Sequence, residues 1–135
     1  MWHVDVAARP HLQPHGAAIR TRSAQVSVCG VPTNLLAAEY SNRIFVLVSQ
    51  AEHLGTLIHA WRDNPVDGAG GGSTYSCRVL IGRRDDEALE AYARTLIELI
   101  GRRSCRPLLL AVSVKEHSPE LFRGVMRELE GVKVW

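Results

Sequence analysis

Six histidines, three cysteines and fourteen carboxylates are the side chains in this 135-residue chain that can do acid–base, nucleophilic or metal chemistry, and their spacing decides which. His11 and His15 are four apart with His3 upstream, a spacing that on a helix lets two imidazoles share a cation. Pro10 and Pro14 break that helix, so a solvated tail is the plainer reading. Cys29, beside Gly30, would be a nucleophile if His53 or His59 oriented it. No base is adjacent in sequence and no helix starts next to the thiol, so Cys29 is expected to be a strand cysteine packed in the core. Asp85, Asp86 and Glu87 have the composition of an acid–base or metal cluster, but they open an amphipathic segment, where capping and the helix dipole account for them. The glycines at 68 to 72 could cradle a phosphate, yet no Gly-Lys-Ser/Thr follows and the next segment reads as a strand. Arg83, Arg84 and the later arginines could touch phosphate, but no aromatic residues interleave to stack bases. No Gly-x-Ser-x-Gly element occurs. Nothing here specifies an enzyme, a metal or a cofactor.

The elements that would position any site come from one domain. Hydrophobic residues are 46% and charged residues 22%, ordinary for a packed globular chain. A net charge of +2 is too small to drive nucleic-acid binding by counterion release. The three cysteines, Cys29, Cys77 and Cys105, are widely separated, which fits neither a disulfide framework nor a zinc knuckle and points to a reducing compartment. No apolar run approaches the roughly 20 residues of a membrane span. The expected location is the cytoplasm, with the nucleus as a second compartment. Residues 1 to 22, with Pro10 and Pro14, are expected to be a disordered tail, and residues 23 to 135 the domain.

From Ser23 to Gly30 the pattern alternates, Val31-Pro32 reads as a turn, and Thr33 to Tyr40 forms a second strand. Arg43 to Gln50, Leu54 to Trp61 and Tyr75 to Ile81 continue an antiparallel meander. Asp85 and Asp86 cap a helix in which Leu89, Tyr92, Ala93, Leu96 and Ile100 share a face, ending at Gly101 and an arginine cluster. Pro107 to Val114 is apolar on both faces and should be central in the sheet. Ser118-Pro119 opens a second helix carrying Leu121, Phe122, Val125, Met126 and Leu129, closed by Gly131. The predicted fold is α+β: a mostly antiparallel six-stranded sheet with two helices on one face.

Two helices of about 10 Å diameter cannot cover both faces of a sheet about 29 Å wide. Whichever parity points away from them, the strand around 44 to 48 presents Ile44, Val46 and Val48 or else Phe45 and Leu47. Each such side chain left in water forfeits about 1.5 to 3 kcal/mol. The other face is therefore expected to pack sheet-to-sheet in a dimer, with Ile44, Phe45, Val46, Leu47, Val48, Leu57 and Val79 as candidate interface residues. The alternative cover is the N-terminal segment itself, folded back over that face. The glycine-rich stretch after the fourth strand supplies a candidate partner-binding loop: Arg62, Asp63, Asn64, Asp67, Gly70 and Ser73.

V-C-G-V-P-T at 28 to 33, G-T-L at 55 to 57, V-L-I-G at 79 to 82, L-L-A-V-S-V-K at 109 to 115 and the terminal V-W occur in an order and spacing that resemble the proteasome assembly chaperone 3 family. The resemblance implies a non-catalytic chaperone without cofactor, whose sheet stacks on that of a like subunit, either itself or a proteasome assembly chaperone 4-like subunit. It implies binding to α-type subunits of the 20S particle as their ring assembles, and release as β-type subunits join. It implies structural roles for Gly30 and Pro32 in a turn and for Gly55 at a bulge or close contact. The long N-terminus and the glycines at 68 to 72 depart from that pattern. A longin- or roadblock-like scaffold in trafficking or GTPase regulation is the competing reading, because such modules also combine an apolar sheet with amphipathic helices.

Overall fold

A computed structural model describes residues 19–51, 54–63 and 74–135. The strands are β1 (Arg20–Val28), β2 (Val31–Glu39), β3 (Ile44–Ser49), β4 (Thr56–Arg62), β5 (Tyr75–Ile81) and β6 (Leu108–Ser113); the helices are α1 (Glu87–Gly101) and α2 (Pro119–Leu129), followed by a 3-10 turn at Glu130–Val132. β1 begins at Arg20, so Arg20 to Arg22, expected in the tail, belong to the sheet. The strand order is β1-β2-β3-β6-β4-β5.

That order corrects the expected meander. β3 and β4 are not neighbours, because β6 lies between them, parallel to β3 and antiparallel to β4. The remaining pairs are antiparallel, giving a mixed sheet dominated by antiparallel ladders. β6 takes the centre because Leu108 to Ser113 is apolar on both sides and all of it but Leu109 is buried.

Both helices lie on one face and share one core with the sheet. Ile44, Val46, Val48, Ile58, Ala60, Leu108 and Leu110 are fully buried beneath Leu89, Leu96, Ile97 and Ile100 of α1 and Leu121, Val125 and Leu129 of α2. Tyr92 of α1 meets Phe122 of α2 edge-on at 4.9 Å, and burial pushes the Tyr92 phenol up to about 12. Val132 and Val134 continue the cover past α2, where Arg20 reaches the Val134 carbonyl at 3.5 Å.

The helix starts follow from their caps. An Asp86 carboxylate oxygen accepts from the Ala88 amide at 3.1 Å, and the Ser118 hydroxyl oxygen accepts from the Leu121 amide at 3.0 Å. Pro119 fills the first turn, where its missing N–H costs nothing. The first hairpin turns two residues earlier than expected, at Cys29-Gly30, with φ of 51° and 76°. Positive φ at both central residues matches the right-handed strand twist, and Gly30 adopts it without a Cβ clash. Cys29 is consequently exposed at the tip and not packed in the core.

Gly55 performs the close contact expected of it. Its φ is 76°, and a Cβ there would lie 2.4 Å from the Val112 carbonyl oxygen and 2.7 Å from Ser113 Cβ. Only a bare backbone can enter β4 so close to the exit of β6. The same end is tied by Gln50. Its amide N–H donates to the Ser113 carbonyl at 2.7 Å and its side-chain nitrogen to Thr33 Oγ1 at 3.1 Å, while Gln50 Oε1 accepts from the Lys115 amide at 3.2 Å. β2, β3 and β6 are thereby locked at one end.

Candidate functional site

The face of the sheet away from the helices carries the surface to be explained. Register sets its side chains in rows. Leu36, Leu47, Ala111, Leu57 and Ile81 face one another in turn across β2, β3, β6, β4 and β5. The next row runs Ala38, Phe45, Leu109, His59 and Arg78 across the same strands. Polar residues bound these rows: Thr21, Ser23 and Gln25 on β1, and Asn34 and Ser49 at the end of the β2–β3 ladder remote from their connection. The result is an apolar band about 20 Å wide, at roughly 4.8 Å per strand. Leu36, Phe45, Leu47, Leu57, Trp61 and Leu109 are partly exposed, and Ile81 is 61% exposed. No described element covers them, and residues 1 to 18, the alternative cover, lie outside the described residues.

The expected interface set divides by parity. Phe45, Leu47 and Leu57 lie on this open face. Ile44, Val46 and Val48 do not: each is fully buried under the helices, and Val79 packs against the same core from the edge strand. Those four are corrected from interface to the helix side: the apolar positions of β3 alternate and the helices take the even ones, and Val79 shares their side as the register partner of buried Ile58. Leu36, Leu109 and Ile81 were missed. Their signal was the apolar run on both parities at 35 to 38 and 108 to 112, and the Leu80-Ile81 pair before Gly82.

His59 and Trp61 add polarity to the band. Their ring centroids are 5.1 Å apart and tilted by 33°. Burial holds the His59 imidazole below its ordinary value, and the nearby Arg43 guanidinium lowers it further. The neutral form is thus favoured in the folded chain, whereas the unfolded chain accepts a proton from about pH 6.5 downward. Stability contributed at this site is complete above that value and declines as pH falls through the folded pKa. Wild type is expected to lose more stability than His59→Gln between about pH 7 and pH 5, by less than about 1 kcal/mol for this partly exposed group. Parallel pH profiles of denaturant midpoints would remove His59 from the account.

The other chemical candidates disperse. His59 is on the open face, while Cys29 lies at the hairpin tip beside Gln50, Lys115, Ser118 and Leu121 on the helix side, so no Cys–His pair forms between them. Asp86 is committed twice: one carboxylate oxygen caps α1 and the other pairs with His117 Nε2 at 3.1 Å. Among the described residues no cluster of three or more His, Cys, Asp or Glu side chains could hold a metal. Burial pushes the Cys77 thiol up, away from the thiolate a nucleophile needs, and its hydrogen bond to Glu90 acts in the same direction. Among the described residues no helix is long and apolar enough to cross a membrane.

Arg62 and Asp63 frame the base of the expected binding loop. The Asp63 amide donates to the Thr74 carbonyl at 2.9 Å, and an Asp63 carboxylate oxygen accepts from Ser76 Oγ at 2.7 Å. Arg62 ends β4 and is exposed. Asn64, Asp67, Gly70 and Ser73 lie outside the described residues.

Residues 46–132 match the family model described as proteasome assembly chaperone 3. A relative from Nematostella vectensis named proteasome assembly chaperone 3 is 37% identical over 120 residues, covering 83% of this chain and 87% of its own. The human protein of the same name is 29% identical over 109 residues, covering 80% of this chain and 88% of its own. In structure, the chain is similar to one in the crystal structure of a novel chaperone complex for yeast 20S proteasome assembly, with a TM-score of 0.66 over 85% of this chain and 98% of that one. At 11% identity that likeness speaks for the fold alone. On the family match and the identity to its relatives, the chain belongs to the proteasome assembly chaperone 3 family and is a non-catalytic chaperone of proteasome assembly.

Proposed function

We propose that this chaperone works as one half of a dimer that promotes formation of the 20S α-ring, binding α-type subunits and leaving as β-type subunits join. The observation that carries the reading is the open sheet face, where Leu36, Phe45, Leu47, Leu57, Leu109 and Ile81 have no cover from the described residues. Surfaces of this kind mark a protein contact, and a second sheet stacked at about 10 Å fits a band of this shape. The stacked subunit is a proteasome assembly chaperone 4-like chain or a second copy of this one. Dimerisation uses Phe45, Leu47 and Leu57, and leaves the loop after β4, based on Arg62 and Asp63, free to grip an α-type subunit. The complex is cytoplasmic and nuclear.

The test is capture from cell extract with the full chain as bait, read by mass spectrometry. Enrichment of α-type proteasome subunits together with a second small chaperone, and weaker α-type capture after deletion of Gly68 to Ser73, is the expected result. Enrichment of a GTPase or a membrane coat in their place would overturn the reading. Capture of mature particles rich in β-type subunits would overturn the release step.

A further inference from the structure

The turn between α1 and β6 holds chemistry that a stacked sheet does not use. It reads Arg102-Arg103-Ser104-Cys105-Arg106-Pro107, and no carboxylate occurs from Leu99 to Leu110. A serine with arginine two residues to either side has the charge pattern that a serine kinase with an acidic substrate groove selects. The structure makes this serine reachable. Arg102, Arg103 and Cys105 are exposed, Ser104 is half-buried, and residues 104 to 107 belong to no helix or strand. The side chains of Arg102 and Arg103 make no hydrogen bond or ion pair among the described residues. Short-range bonds close the turn: the Ser104 amide donates to the Ile100 carbonyl at 2.9 Å, and the Arg106 amide to Ser104 Oγ at 3.1 Å. Such a surface turn opens locally without disturbing the core, and Pro107 biases Arg106 to the extended backbone that a bound substrate adopts. Ser23 and Ser118 fail these conditions. Ser23 has Arg20 and Arg22 on one side only and is held in the β1–β2 ladder opposite Leu36, and the Ser118 hydroxyl is committed to capping α2.

We infer that Ser104 is a phosphorylation site for an arginine-directed serine kinase. The step joins Ser104 Oγ to the γ-phosphorus of ATP and breaks the bond from that phosphorus to the β,γ-bridging oxygen; ADP leaves, and the hydroxyl proton passes to the catalytic aspartate of the kinase. The product sets about two negative charges among three arginines. In the unmodified chain Arg106 pairs with Glu39 of β2 at 3.2 Å, with both side chains partly in solvent. A phosphate two residues away offers Arg106 a more highly charged bidentate acceptor than one carboxylate, so Arg106 changes partner and the tie from the turn to β2 is released. The phosphate also sits just past the carboxyl end of α1, where the helix dipole opposes negative charge. Both effects loosen the last turn of α1. Glu39 shares the helix side of the sheet with its buried register partner Ile44, so the stacking face is left as it was.

The test incubates the folded full-length chain with ATP and a constitutively active serine kinase of this specificity, and locates phosphate by mass spectrometry of peptides. One phosphate on Ser104 is expected, with uptake at least about tenfold slower in Ser104→Ala and in Arg102→Gln/Arg106→Gln. Amide hydrogen exchange from Leu99 to Arg106 is expected to rise at least about threefold on phosphorylation, and to rise less in Glu39→Gln, which has no ion pair to lose. Phosphate elsewhere with Ser104 bare would overturn the site. Transfer to an unfolded peptide of residues 98 to 110 but not to the folded chain would also overturn it, because the turn would then be closed to the enzyme. Transfer to Ser104 at full rate in the double arginine variant would overturn recognition by charge. Complete phosphorylation with unchanged exchange would overturn the change of partner at Arg106 and leave the site standing.

Discussion

Val46→Asp is expected to unfold the chain. Val46 is fully buried between the sheet and the helices, and a carboxylate there meets only apolar neighbours. Burying an uncompensated charge costs well above about 4 kcal/mol, a large part of the roughly 5 to 15 kcal/mol that holds a domain together. The expected signs are loss of the cooperative thermal transition and recovery in the insoluble fraction. A variant that melts within a few degrees of wild type would mean that Val46 is not where the core is.

One residue later the same substitution has the opposite meaning. Leu47→Asp places the charge on the open face, where the single subunit leaves that position partly exposed to water. Its folding stability should change by about 1 kcal/mol, the span of strand preference at a half-exposed position. Pairing should weaken by about 100-fold or more, since a central apolar anchor becomes an unpaired charge, and each tenfold is 1.4 kcal/mol. Circular dichroism should report a folded chain and sedimentation a lost partner. A Leu47→Asp chain that pairs normally would show that this face is not the contact. The contrast between adjacent residues is sharper than either result alone, because a generally destabilising change cannot produce it.

That contrast also marks how far the sequence could be read. The alternation in Ile44 to Val48 showed that both faces of one strand are apolar, but not which parity the helices would take. The answer depends on where α1 and α2 land, and nothing local to β3 encodes it. Caps were legible because Asp86 and Ser118-Pro119 act within a few residues of themselves. The central position of β6 was legible because an apolar run on both faces must be covered twice. Its neighbours were not, since burial is indifferent to which strand supplies it, and a meander buries β3 and β4 as plausibly as the observed insertion. The Cys29-Gly30 turn escaped because Pro32 is the stronger breaker signal, whereas the left-handed backbone at Cys29 carries no mark in the sequence.

The insertion of β6 governs when the molecule can fold during synthesis. Once residues up to Pro107 have left the ribosome, the chain holds a three-stranded ribbon, a separate hairpin and α1, with no ladder joining ribbon to hairpin, since β3 and β4 meet only through the strand still to come. Sheet closure waits for sequence-distant contacts, the kind that slow the search for the native state. Until β6 emerges, the two halves expose the sides that it will cover. The nascent chaperone thus passes through an interval in which it is itself vulnerable to sticking, and early termination within α2 leaves a sheet whose lid is incomplete.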